Sequence, residues 1–235
     1  DMTEQNVIPN GTQNGSGELL AWHFVDEALR DGQPVPPDGE KLTHGAAPSL
    51  CVSGLHASER IIDALKYAPG NTICRVECED LATRQDDKLV CATRTVLWRV
   101  DGEELLREFA RKVALDVADL WSIPDGVRKF LETGNENFRV AARAEARDLS
   151  RAYVREDNVT AAAAAEAARA AAARTHAARA TALAAAWAAN RARGDAGTWE
   201  RYNTLLENLV ETARTAGDGD DEWGDFADEL EMELG

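Results

Sequence analysis

Residues 159–193 read VTAAAAAEAARAAAARTHAARATALAAAWAANRAR. No other stretch limits the fold as much. Alanine is the best helix former and gives up no side-chain freedom in a helix, so this run is expected to be helical. Unbroken, it would be a rod of about 50 Å at about 1.5 Å per residue. Its large apolar groups are Val159, Leu183 and Trp187, the last two on one face by i,i+4 spacing. An alanine surface lets another helix approach closely but buries little area per residue. The run is therefore expected to need a partner helix or a second copy of the chain. The sequence leaves its continuity open.

The first hundred residues have a different period. LLAWHFV, 19–25, alternates, with Leu20, Trp22 and Phe24 on one side and Ala21, His23 and Val25 on the other. That is the pattern of a strand with a buried face. TICRVEC (72–78) and KLVCATRTVLWRV (88–100) are strands, joined through a turn at TRQDD, 83–87. SLCVSGLHA, 49–57, predicts a strand that breaks at Gly54. Ser58 is then expected to cap a helix through ERIIDALKY with Ile61, Ile62, Leu65 and Tyr67 inward. RDGQPVPPDGEKLTHGAAP, 30–48, reads as a long Pro/Gly-rich loop, a kind that often carries function.

From Asp101 the period becomes helical. Asp101 and Glu104 fit a capping box. Leu105, Phe109, Val113 and Val117 form an apolar stripe. Pro124 and Gly134 bracket a short helix, and Asn135 can cap the next, to which Phe138, Leu149 and Tyr153 supply the larger apolar groups. GDAG, 194–197, breaks the alanine run before a last amphipathic helix capped by Thr198. The fold class is thus α+β: a small mixed or antiparallel sheet domain, 17–121, then a helical region, 122–217. A polar lead, 1–16, and an acidic tail, 218–235, flank them and read as disordered.

The formal net charge is −16, and nine of those charges lie in 218–235. Without a basic footprint, direct nucleic-acid binding is not expected. The tail carries Trp223, Phe226, Leu230, Met232 and Leu234 among its acids. That pattern suits docking on a basic surface of a host or phage protein. No run of about 18 apolar residues exists, so no membrane span is expected. The start lacks a signal-peptide pattern, Met2 reads as the native first residue, and a cytosolic location is the expectation. Cys51, Cys74, Cys78 and Cys91 read as buried free thiols. On a strand Cys74 and Cys78 would stand roughly 13 Å apart, too far to share a bond or a metal ion.

No phosphate-binding glycine loop, metalloprotease helix motif or nucleophile elbow is present. The residues with chemical potential are histidines: His23 on a strand, His44 in the long loop, and His56 after Gly54. Glycine lets backbone come close to a ligand, so His23 and His56 are the candidate pair. His176, among alanines and arginines, reads as a surface residue.

GLHASERIIDALKYAPGNTICRVE, DDKLV and RTVLWR together resemble a domain of bacteriophage and prophage proteins with no established activity. The resemblance covers roughly 19–100 and implies a protein acting in an infected bacterial cell. A remoter resemblance is to the ADP-ribosyltransferase fold of poly-ADP-ribose polymerases. There the first strand carries Trp-His-Gly-Ser, matched here by Trp22 and His23. A Gly-(Ile/Leu)-Tyr-Phe-(Ala/Ser) motif follows, matched by GLHAS with Gly54 and Ser58 and with His56 at the tyrosine position. Tyr67 of ALKY matches the helix tyrosine.

This second resemblance implies NAD or a nucleotide as ligand. His23 would bond a ribose hydroxyl, and His56 would stack on the nicotinamide ring. Asp87 would replace the glutamate that steadies the oxocarbenium charge. Trp22, Gly54, Ser58 and Tyr67 would line the ligand. Phe24-Val25 stand where the family has Gly-Ser, and no glutamate stands at the third site. That departure implies altered chemistry or an inactive enzyme. The rival expectations are a non-enzymatic interaction protein, whose alanine helices and acidic tail bind a host or phage protein by mimicking nucleic-acid charge, and an oligomeric phage assembly component built on helix contacts. No metal site is expected.

Overall fold

The computed structural model describes residues 13–14, 18–29, 32–49, 52–174 and 177–218. Cys51, His176 and most of the acidic tail lie outside the described residues, as does most of the polar lead. The fold is α+β, with an antiparallel sheet followed by a helical region.

The strands are β1 (Gln13–Asn14), β2 (Glu18–Val25), β3 (Lys41–Thr43), β4 (Leu55–Ala57), β5 (Thr72–Arg84) and β6 (Leu89–Asp101). Their order is β1-β2-β5-β6-β3, and β4 also pairs with β6. The β4 register sets Leu55 opposite Cys91, His56 opposite Val90 and Ala57 opposite Leu89. One residue later the chain crosses to β2. Trp22 N donates to Ser58 O at 2.7 Å, and Ser58 N donates to Trp22 O at 3.0 Å. The pairings β2–β5–β6–β4–β2 therefore close on themselves, as in a small barrel that hides its edges.

Several local expectations need correction. Gln13 and Asn14 are not part of a disordered lead, because they pair with Leu19 and Glu18. The 30–48 loop contains β3, which pairs Lys41, Leu42 and Thr43 with Thr95, Arg94 and Thr93. A three-residue edge strand with one apolar side chain leaves no alternation to read. Residues 49–53 are a turn, closed by Ser49 N to Ser53 O at 2.8 Å, and strand begins only at Leu55. The hairpin is longer than expected, since β5 runs on through Arg84 as a polar, exposed ribbon. Its tight turn is closed by Gln85 N to Lys88 O at 2.8 Å.

The helices are α1 (Ile61–Lys66), α2 (Glu103–Asp116), α3 (Asp125–Thr133), α4 (Glu136–Arg155), α5 (Val159–Ala171), α6 (Ala178–Arg193) and α7 (Thr198–Asp218). The alanine run is thus two helices, not one rod. Each buries its alanines within the chain: α5 packs on α4 and α6, and α6 also packs on α2. The large groups point elsewhere. Val159 is exposed, and Trp187 is 51% exposed while stacking on Trp199 at 4.9 Å. The residues buried on α4, α5 and α6 are nearly all alanines.

In α2 the buried stripe is Leu106, Phe109, Ala110, Val113 and Ala114, with Leu105 only half-buried. The expected capping box is absent. Asp101 Oδ1 accepts from Glu103 N at 2.9 Å, and the helix starts after Gly102. A side chain on Gly102 would strike Asn71 O at 2.3 Å. Gly134 closes α3 in the left-handed region at φ 67°, and the Asn135 side chain caps α4 through Asn137 N, both as expected.

The chain forms two compact units. Of the described residues, the first takes those up to His23, Glu27–Ala64 and Cys74–Arg99. The second takes Phe24–Asp26, Leu65–Ile73 and those from Val100 on. The second unit thus resumes at Val100, next to the change of period at Asp101, and takes in α2. No helix among the described residues is long and apolar enough to cross a membrane.

Candidate functional site

The first unit holds His23, His56, Gly54, Ser58, Trp22 and Asp87; Tyr67 belongs to the second. Strand β4 is the centre of the group. Gly54 enters it at φ 103°, in the region that favours glycine. A Cβ there would meet Val90 Cγ2 at 2.7 Å and Pro48 Cβ at 2.8 Å. Two constraints, conformation and space, exclude a side chain. The carbonyl of Gly54 then stands 3.1 Å from His56 Nδ1. A carbonyl can only accept, so Nδ1 carries a hydrogen directed at it.

His56 is opposite Val90 in the ladder. Side chains alternate along a strand, so Val90 and Arg94 project to the same side of β6 as His56. Arg94 reaches back along its own strand, and its Nη1 donates to His56 O at 2.6 Å. Arg94 is 5% exposed. Among the described residues, the groups that act on its charge are the thiols of Cys78, Cys91 and Cys74, with no carboxylate. Burial disfavours the guanidinium charge.

His23 joins this group from β2. Its pKa is held well below the usual histidine value, first by burial, then by the positive charge of Arg94 and by His56. The ring is therefore neutral at pH 7. His23 and His56 each keep part of their surface accessible, while Arg94 between their strands is covered.

The other expected site residues have mostly structural work. Trp22 is 3% exposed. Arg75 lies 4.5 Å from its ring centroid and Trp98 meets it edge-on at 5.7 Å. Its indole N–H is buried without an acceptor among the described residues. Ser58 is 2% exposed, and its hydroxyl donates to Asp87 O at 2.7 Å. It does not cap α1, whose first bonds run to Arg60 O from Asp63 N and Ala64 N. The hydroxyl instead pins the β5–β6 turn to β4, and so places Asp87 beside the strand that carries His56. Asp87 is half-buried in that turn. Tyr67 follows the last residue of α1 and is 50% exposed, not inward as expected. The helix is only six residues long, so Tyr67 has left its inner face.

Three cysteines act on the charge of Arg94. Cys74, Cys78 and Cys91 are free and buried. Burial pushes the Cys74 thiol up to about 11. Cys78 and Cys91 share a hydrogen bond that raises the first and lowers the second, and Arg94 lowers Cys91 further. Cys91 Sγ also donates to Leu55 O at 3.3 Å. Among the described residues, no cluster of metal-binding side chains occurs.

Arg94 escaped the sequence reading. The one available signal was an arginine in the middle of an apolar strand, LVCATRTVLWR. Such a position buries a charge that cannot be neutralised.

Residues 19–108 match a family described as Domain of unknown function (DUF7666). The matched span begins in β2, includes every residue of the His23–His56–Arg94 group and ends within α2. No curated protein and no solved structure matched the chain. The DUF7666 match and the candidate group thus fall on the same part of the chain, and the alanine-rich helices lie beyond it.

Proposed function

We propose that residues 19–108 form an ADP-ribosyltransferase-like domain of a phage-encoded accessory protein, and that this domain binds NAD or a nucleotide. The observation that carries the reading is the convergence of His23, His56 and Arg94 from three strands, with Asp87 tied alongside by Ser58. The order of motifs along the chain resembles that of the polymerases, and both histidines act on one another electrostatically. A neutral His23 can bond a ribose hydroxyl, and a His56 ring fixed by Gly54 O is oriented to stack.

The charge of the site separates binding from transfer. Breaking the bond between nicotinamide and ribose builds positive charge on the sugar, which a carboxylate stabilises. The strongest charge acting on His23 is a buried guanidinium. A cation there opposes an oxocarbenium ion and attracts the phosphates of the ligand. The domain is therefore assigned to binding, with transfer depending on Asp87 alone.

Calorimetric titration of the full chain with NAD, ADP-ribose and ATP tests this. Saturable binding of at least one, lost in His56→Ala while the fold persists by circular dichroism, is the expected result. Absence of binding by all three, or binding unchanged in His56→Ala, would overturn it.

A further inference from the structure

We infer that Arg94 is the anchor of an anion subsite that takes a phosphate or diphosphate group, entered between His23 and His56. This deepens the nucleotide reading and rests on it for the rest of the ligand.

Three observations lead there. First, Arg94 is 95% buried, being 5% exposed, and its one side-chain hydrogen bond among the described residues goes to the His56 carbonyl. Arginine presents five N–H donors in a fixed fork, so a single carbonyl leaves most of them uncommitted. Second, among the described residues no carboxylate pairs with it or acts on its charge. A buried charge normally has a partner, because taking it from water unpaired costs several kcal/mol. Third, Arg94 acts on the neutral ring of His23 and bonds the backbone of His56, and both histidines keep part of their surface accessible. A neutral His23 can donate a ring N–H to an anion without adding charge, whereas the Nδ1 hydrogen of His56 is already given to Gly54 O. A planar guanidinium suits the bidentate geometry of a phosphate.

The competing partner is internal. Cys91 is depressed by Cys78 and by Arg94, and a Cys91 thiolate would itself balance the guanidinium. The two accounts make opposite demands on stability. An arginine waiting for a ligand is a cost to the empty protein, and an isosteric apolar side chain in its place is neutral or stabilising. An arginine balanced by a thiolate is structural, and its removal leaves that thiolate buried and unpaired.

The test uses the full chain and sodium pyrophosphate as probe. Thermal unfolding is measured for wild type, Arg94→Met and Arg94→Lys, each with and without pyrophosphate. Wild type is expected to gain several degrees with the probe. Arg94→Met is expected to unfold within about 2 °C of wild type, or above it, without the probe, and to lack the gain. General salt exclusion acts on all three alike, so the difference between variants isolates the site. Arg94→Lys keeps the charge without the fork and retains a reduced gain.

A loss of several degrees in Arg94→Met without probe would overturn the subsite, as would an undiminished gain in that variant. So would a thiolate absorbance at neutral pH that vanishes in Cys91→Ser. Pyrophosphate binding without NAD or nucleotide binding keeps the subsite and removes the nucleotide reading. Nucleotide binding indifferent to Arg94→Met does the reverse.

Discussion

Arg94 Nη1 donates to the backbone carbonyl of His56 at 2.6 Å, across the ladder that joins β4 to β6. The bond runs from a buried cation to the peptide group of a residue whose own ring is held by Gly54. Backbone geometry at position 54 therefore reaches the candidate site through one hydrogen bond and one residue of strand.

Gly54→Ala is the sharpest test of that chain. The left-handed backbone costs about 1–3 kcal/mol for a non-glycine residue. The overlap with Val90 and Pro48 adds about 1–3 kcal/mol. Gly32 has φ 82° but nothing within 4 Å of a built Cβ. Urea unfolding should show Gly54→Ala losing about 2–5 kcal/mol, and Gly32→Ala losing clearly less. Equal losses would mean that the packing around Gly54 yields.

His23 should set an acid limb in stability. Its folded pKa lies below its unfolded value, with burial, Arg94 and His56 as causes. The unfolded chain therefore binds the proton first. The stability associated with neutral His23 is complete above the ordinary histidine pKa and falls as pH drops below about 6.5 toward the folded value. His23→Gln should flatten the midpoint temperature across that range. An unchanged slope would place the linkage elsewhere.

Ser58→Ala removes the hydroxyl that holds the Asp87 carbonyl and keeps the two backbone bonds to Trp22. The buried acceptor left behind should cost about 1–3 kcal/mol. Amide exchange should quicken in the 85–88 turn, and exchange confined to other regions would contradict the pinning role.

Asp195 tests the α6–α7 turn. Arg201 and Thr198 hold its carboxyl down at about 2, with a further bond from Gly197 N. A depressed carboxylate contributes above its unfolded pKa and stops contributing as pH falls through the folded one. The Asp195 titration followed by NMR should have its midpoint near 2, and Arg201→Gln should move it upward toward ordinary aspartate. A midpoint that ignores Arg201 would rule out the ion pair in solution.

Ala164→Leu places a branched side chain in α5 at a position with no exposed surface. Over-packing of a tight core costs about 1–3 kcal/mol or more. Val159→Leu, on the exposed end of the same helix, should be nearly silent by thermal unfolding. The contrast checks that the alanine face is internal.

The strands with alternating or β-branched residues were legible, as were the helix ends marked by Gly134 and Asn135. Beta-strand β3 was not, because Lys41-Leu42-Thr43 has too few apolar residues to carry a period. The break between α5 and α6 was equally silent, since alanines on either side favour helix alike. At the site, His23, His56 and Gly54 could be singled out because they break local pattern. Ser58 misled: a serine before an apolar helix reads as a cap, and only the tertiary partner, Asp87 O, shows its other use. Arg94 was hidden by the opposite effect, since surface arginines are ordinary and burial is not written in composition.

Helices that meet through methyl groups have no side chain to turn aside. The residues buried on α4, α5 and α6 are nearly all alanines, and a methyl group has no rotamer to change when room is needed. Evolution of this part of the protein is then expected to be lopsided: drift on the outward arginines and glutamates, and near immobility on the inward alanines. What looks like the plainest stretch of the chain would be its least negotiable.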